Sequence, residues 1–77
     1  MTTVSISLNS IEKVKSFVNE IAKFESDFDL ISGRYTIDAK SIMGIFSLDL
    51  SQSITLIIHA DETELPGILE SLKPYIA

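Results

Sequence analysis

A chain of 77 residues with 45% apolar and 22% charged side chains has the balance of one globular domain, spanning residues 1–77, in which about 60% of the unfolded surface can be buried. The absence of cysteine excludes disulfides, thiolate zinc sites and thiol nucleophiles, and a lone histidine, His59, cannot build a metal cluster. Eleven acids against six bases give a net charge of −5, which repels a phosphate backbone, so nucleic acid is not an expected partner.

The opening residues Met1-Thr-Thr-Val-Ser-Ile-Ser have no basic segment and no unbroken apolar core. No later stretch approaches the roughly 18 apolar residues of a membrane span. A cytoplasmic protein without a membrane partner is expected. Val4, Ile6 and Leu8 alternate with Thr3, Ser5 and Ser7, the period of a strand with one wet face. Ile11, Val14, Phe17, Val18, Ile21 and Ala22 then recur at three- and four-residue steps, which predicts an amphipathic helix from about Ser10 to Phe24. Asn9-x-x-Glu12 fits a capping box at its start, with Glu12 placed where the helix dipole favours an anion.

Phe28, Leu30 and Ser32 alternate with Asp27, Asp29 and Ile31, and a second alternation follows through Tyr35 and Ile37. Ser32-Gly33 reads as the tight turn between two antiparallel strands. Ser41 is a good N-cap, and Ile42, Ile45 and Phe46 follow at helical spacing, so a short helix is expected from Ser41 to about Leu48. Ile54, Leu56 and Ile58 mark a fourth strand with few polar interruptions, expected at the centre of the sheet. The last helix should run from about Thr63 to Tyr75 with Leu65, Ile68, Leu69 and Leu72 buried. Pro66 is tolerable only in the first turn, which points to Thr63 as cap, and Pro74 forces an end near Lys73. The order β-α-β-β-α-β-α, an α/β (α+β) pattern, is economically folded as a small antiparallel sheet with helices on one face.

One block stands out chemically: Lys40-Ser41-Ile42-Met43-Gly44-Ile45-Phe46-Ser47-Leu48. A serine opening a helix is most simply a cap. A phosphate there would also meet free N–H groups and the positive end of the helix dipole, with Lys40 adjacent. So short a helix cannot bury every apolar side chain it carries. Ile45 and either Ile42 or Phe46 should be core, while Met43 suits an adaptable contact surface as well as a packed one.

This block is similar to the regulatory-serine motif of the HPr family, the histidine-containing phosphocarriers of the sugar phosphotransferase system. Ser16-Phe17-Val18-Asn19-Glu20 resembles the family's first-helix segment, and the resemblance extends over roughly residues 2–76. It implies an open-faced sandwich, a four-stranded antiparallel sheet with three helices on one face, in a carrier-type protein that is not an enzyme and has no cofactor or metal. It also implies protein partners: an HPr kinase-type enzyme acting on Ser41, and phosphotransferase or transcription-regulator proteins docking on Lys40, Ile42, Met43 and Phe46. Running back without a gap from Phe17, Ser10 falls at the family's phosphate-carrying histidine, Glu12 at its arginine and Lys13 at its proline.

Those replacements bear on the chemistry. A phosphocarrier needs a nucleophilic nitrogen that titrates near neutrality, which a serine hydroxyl does not supply. Glu12 in place of arginine sets a like charge against an incoming phosphoryl group. In an HPr-like sheet the first and fourth strands are antiparallel neighbours, which carries His59 away from the start of the first helix and leaves it a half-exposed strand-end residue. No pair of carboxylates, hydroxyls or bases close in sequence suggests another reaction. Three readings remain open: a regulatory, protein-binding member of the family centred on Ser41 with no catalytic residue, a working phosphocarrier with a displaced acceptor, and a generic small interaction domain on the HPr fold.

Overall fold

A computed structural model describes residues 1–77. Strands β1 (Thr2–Ile6), β2 (Asp27–Ser32), β3 (Tyr35–Asp38) and β4 (Ile54–His59) alternate with helices α1 (Ile11–Ile21), α2 (Ile42–Phe46) and α3 (Leu65–Leu72), and a 3-10 turn, Lys73–Tyr75, follows α3. The strands form one antiparallel sheet in the order β1-β4-β2-β3, so β4 is central as its unbroken Ile-rich run predicts. Thr2 pairs with Ile58, Phe28 with Ile58, and Leu30 with Ile37. No helix is long and apolar enough to cross a membrane.

Alternation decides which face is covered. Ile54, Leu56 and Ile58 of β4 and Phe28 and Leu30 of β2 point to one side and are buried, together with Ile6. Val14, Phe17 and Ile21 of α1, Ile45 of α2, and Ile68 and Leu72 of α3 close the core from the helix side. The opposite face of the sheet carries Thr55, Ile57 and His59 beside Asp27, Asp29 and Asp38, and these are exposed or half-exposed.

Helix boundaries differ from the sequence expectation, and each difference has a local cause. The cap of α1 is Ser10, not Asn9: its backbone is extended and its hydroxyl accepts from the Lys13 N–H at 3.1 Å. The capping frame therefore runs Ser10-x-x-Lys13, and Glu12 does not close a box. Ile11, the first helical residue, lies about a quarter turn round the helix from the buried stripe of Val14, Phe17 and Ile21 and is 59% exposed. The chain leaves α1 at Ile21, because Lys23 and Phe24 bond back only three residues, to Glu20 and Ile21, and such tightened turns end a helix.

The hairpin turn is Gly33-Arg34 rather than Ser32-Gly33, since Ser32 still pairs with Tyr35. Gly33 has φ +59° and Arg34 does not share a positive φ. Glycine at the first of two loop positions is the type II′ pattern, whose twist matches the strands. Helix α2 stops at Phe46 instead of Leu48, with Ser47 and Leu48 bonding to Gly44 and Ile45. The cap before α3 is not Thr63. Glu64 precedes α3 and makes no side-chain capping bond; Asp61 instead holds the turn that leads into the helix, its Oδ1 accepting from the Thr63 N–H, the Glu64 N–H and the Thr63 hydroxyl. Helix α3 ends at Leu72, ahead of the 3-10 turn that contains Pro74.

That last turn is tied down. Tyr75 is buried and packs edge-on to Phe17 with ring centroids 5.7 Å apart, and its hydroxyl bonds to the Ser16 hydroxyl. The Ser7 N–H donates to the Tyr75 carbonyl at 2.7 Å and the Ala77 N–H to the Ser5 carbonyl at 2.9 Å, which lays the final residues along β1.

Candidate functional site

The Ser41 block begins where β3 ends. The Asp38 carboxylate accepts from the Lys40 N–H at 2.9 Å and the Asp38 carbonyl from the Ser41 N–H at 3.0 Å, a local turn of the kind aspartate favours. Ala39 is buried and its N–H donates to the Phe28 carbonyl. Ser41 then takes an extended backbone, and its Oγ accepts from the Gly44 N–H at 3.2 Å as the cap of α2. The residue is exposed.

The side chains around it divide as a five-residue helix must divide them. Ile45 is buried and Ile42 half-buried against the core, while Met43 is 76% and Phe46 40% exposed. Ile42 and Ile45 therefore face inward, and Met43 and Phe46 form an apolar surface next to the Ser41 hydroxyl. Lys40 has turned away from that surface. Its ammonium donates to the Phe24 carbonyl at 2.8 Å and lies 5.6 Å from the centre of the Phe28 ring.

Ser10 and Glu12 stand at the start of α1, Ser10 half-buried with its hydroxyl engaged by Lys13 and Glu12 exposed in the first turn. His59 lies elsewhere. It closes β4 next to the start of β1, whereas α1 begins beyond the other end of β1. Its Nε2 is 2.9 Å from the Asp29 carboxylate.

Sequence reasoning missed what surrounds that histidine. Asp27 sits directly opposite His59 and Asp38 directly opposite Asp29, so two further carboxylates share the open face with the Asp29–His59 pair. With Phe28 they line an open concavity of about 400 Å³, whose Asp38 rim is also the start of the turn that leads to Ser41. The alternation that puts odd-numbered residues of β2 on the open face was visible, but the register with β3 and β4 was not.

A family model, the PTS HPr component phosphorylation site, matches residues 12–77. The chain belongs to the HPr family. Among solved structures it is similar to HPr-C-His from Thermoanaerobacter tengcongensis, at 31% identity over 94% of this chain and 90% of that one, with a TM-score of 0.74. It is also similar to the phosphocarrier protein HPr from Bacillus anthracis str. Ames, at 29% identity over 99% and 94% of the two chains and a TM-score of 0.71. The histidine-containing phosphocarrier protein of a Mycoplasma shares the fold, with a TM-score of 0.75 at 16% identity over 95% of this chain and 89% of that one.

The HPr match explains the architecture and the coarse role. HPr is the phosphocarrier component of the phosphotransferase system, a carrier that works with other proteins of that system and not a catalyst in its own right. The matched region includes the whole Lys40–Leu48 block and begins at Glu12, two residues after Ser10.

Proposed function

We propose that this HPr-family chain is a cytoplasmic regulatory or protein-binding member whose working site is Ser41 with the apolar surface beside it, and that it does not carry phosphate on a histidine. The observation that carries the reading is the pairing of an exposed cap hydroxyl with exposed Met43 and Phe46 on the same short helix. Apolar side chains of this size, held out of the core next to a modifiable hydroxyl, suit a docking surface that phosphorylation can switch. The proposed partners are an HPr kinase-type enzyme and phosphotransferase or transcription-regulator proteins.

Loss of the carrier role is supported by two placements. Ser10 offers a hydroxyl already engaged in capping α1, with Glu12 in the same turn. The chain's one imidazole is held by Asp29 at the far end of β4. A displaced carrier on His59 would have to pass phosphate among Asp27, Asp29 and Asp38, whose charge opposes the incoming group.

Two experiments test this. Incubation with phosphoenolpyruvate and the general phosphotransferase enzyme should yield no acid-labile phosphoprotein, and forming one would overturn the non-carrier reading. Ser10→His alone should give little activity and the pair Ser10→His with Glu12→Arg more, since acceptor and electrostatic partner act together. Incubation with an HPr-type kinase and ATP, followed by phosphopeptide mapping, should place phosphate on Ser41. Partner affinity should then separate wild type and Ser41→Ala from Ser41→Asp and the phosphoprotein, because a charge of about −2 opposes docking on an apolar or acidic site. Equal affinity across all forms would leave Ser41 a helix cap and nothing more.

A further inference from the structure

We propose that Lys40 is a positioning residue of the Ser41 site: its ammonium anchors the start of α2 to the turn that ends α1 and is not a ligand for phosphate on Ser41. The Phe24 carbonyl lies past the end of α1, where no helix bond reaches it, and no backbone N–H bonds to it. The Lys40 ammonium supplies that missing donor at 2.8 Å, and the face of Phe28 lies 5.6 Å away. A charged donor to a half-buried carbonyl is among the stronger single hydrogen bonds, and removing it strands the acceptor.

The direction of the two neighbouring side chains separates the roles. Ser41 has extended backbone angles, φ −91° and ψ 102°, and its hydroxyl turns to Gly44. Lys40 instead belongs to the turn that the Ser41 N–H closes on the Asp38 carbonyl, and its stem runs back to Phe24. Between the two, Asp38 fixes the Lys40 and Ser41 amides and Ala39 is buried. The Lys40 tether is the long-range member of this set, joining residues 16 apart. It sets where α2 lies relative to α1, and hence how Ser41, Met43 and Phe46 are presented together.

The functional weight of this anchor rests on the Ser41 reading above, but its test needs neither a kinase nor a partner. Amide hydrogen exchange is measured on the full chain as wild type, Lys40→Met and Lys40→Arg. Loss of the tether in Lys40→Met should speed exchange at Gly44 and Ile45 about tenfold, while Leu56 in the central strand stays as in wild type. Arginine also donates to carbonyls and stacks on rings, so Lys40→Arg should restore the wild-type rates. Equal rates at Gly44 in wild type and Lys40→Met would overturn the anchor, as would a uniform rise at Gly44 and Leu56 alike, which marks general loss of stability.

The second arm uses the same chains made by chemical synthesis with phosphoserine at position 41. The midpoint of the phosphorus NMR titration should be the same with Lys40 and with Met. A midpoint that rises on Lys40→Met would show the ammonium paired with the phosphate and overturn the assignment. Failure of a kinase to modify Ser41 would defeat the Ser41 reading and leave both of these measurements standing.

Discussion

Ser41 is one hydroxyl with one bond, from the Gly44 N–H, and its stability effect should be correspondingly small. Ser41→Ala should cost about 1 kcal/mol in urea denaturation, the usual worth of a cap. Phosphate in its place should shift stability by no more than about 1 kcal/mol, because both species meet the same N–H. Asp61 gives a second residue-scale expectation, one that depends on pH. The Thr63 hydroxyl, and after it the Glu64 N–H, hold its carboxyl below the ordinary value of 3.8. A depressed folded value means stabilisation that is complete above 3.8 and lost as pH falls through the folded value. Wild type should therefore exceed Asp61→Ala in urea midpoint by a constant margin near neutrality. That margin should shrink only below about pH 3.8; a margin already falling between pH 7 and 5 would point to another group.

Among the elements, α1 bears most on the fold. Phe17 is wholly buried and meets Tyr75 edge-on, so Phe17→Ala should cost about 3–5 kcal/mol. A variant melting within a degree or two of wild type would contradict the packing of α1 on the sheet. The β2–β3 hairpin makes a sharper claim about backbone. Gly33 at φ +59° has nothing within 4 Å of an added Cβ, so Gly33→Ala should cost about 1–2 kcal/mol from conformation alone. If chemical denaturation showed no loss, the turn would not need its left-handed residue. The elements were largely legible in sequence because strand alternation and the α1 stripe are repeated signals, each apolar residue supporting the next. Caps were not, since Asn9 and Ser10, or Asp61 and Thr63, are neighbours of equal capping chemistry, and one or two residues of helix phase decide between them. Ile11 was misplaced for another reason: three- and four-residue steps admit it to the stripe, but it falls at the edge, and the first turn packs on nothing beyond it. Ser41 was placed correctly because no second capping residue stands beside it.

At the scale of the molecule, the tertiary links that could not be read are those that sequence separation hides. Lys40 looked like a charge beside Ser41 and is a donor to Phe24. Asp27, Asp29 and Asp38 sit in separate strand alternations and line one concavity with His59, which Asp29 holds. Tyr75, past a proline and near the end of the last helical pattern, is a core residue held by Phe17 and Ser16. Two variants separate its contributions. Tyr75→Phe loses only the hydroxyl bond and should cost about 1 kcal/mol, whereas Tyr75→Ala empties part of the core and should cost about 3–5 kcal/mol. Equal losses in the two, measured by the same urea titration, would mean that the ring contributes nothing beyond its hydroxyl.

The strand order has a consequence for the chain as it is made. β1 leaves the ribosome before the other three strands of the sheet, yet its only partner within the sheet is β4, with Thr2 waiting for Ile58. At about 5–20 residues per second that wait is roughly 3–11 s. Tyr75 and Ala77, which close the far side of β1, arrive later still. Until then the nascent chain holds an unpaired strand, and what keeps that strand from pairing with the wrong neighbour is its Thr3, Ser5 and Ser7 face, every other position polar. Replacing those residues with valine should leave the finished fold intact while increasing aggregation during translation, a fault visible in yield and invisible in a melting curve.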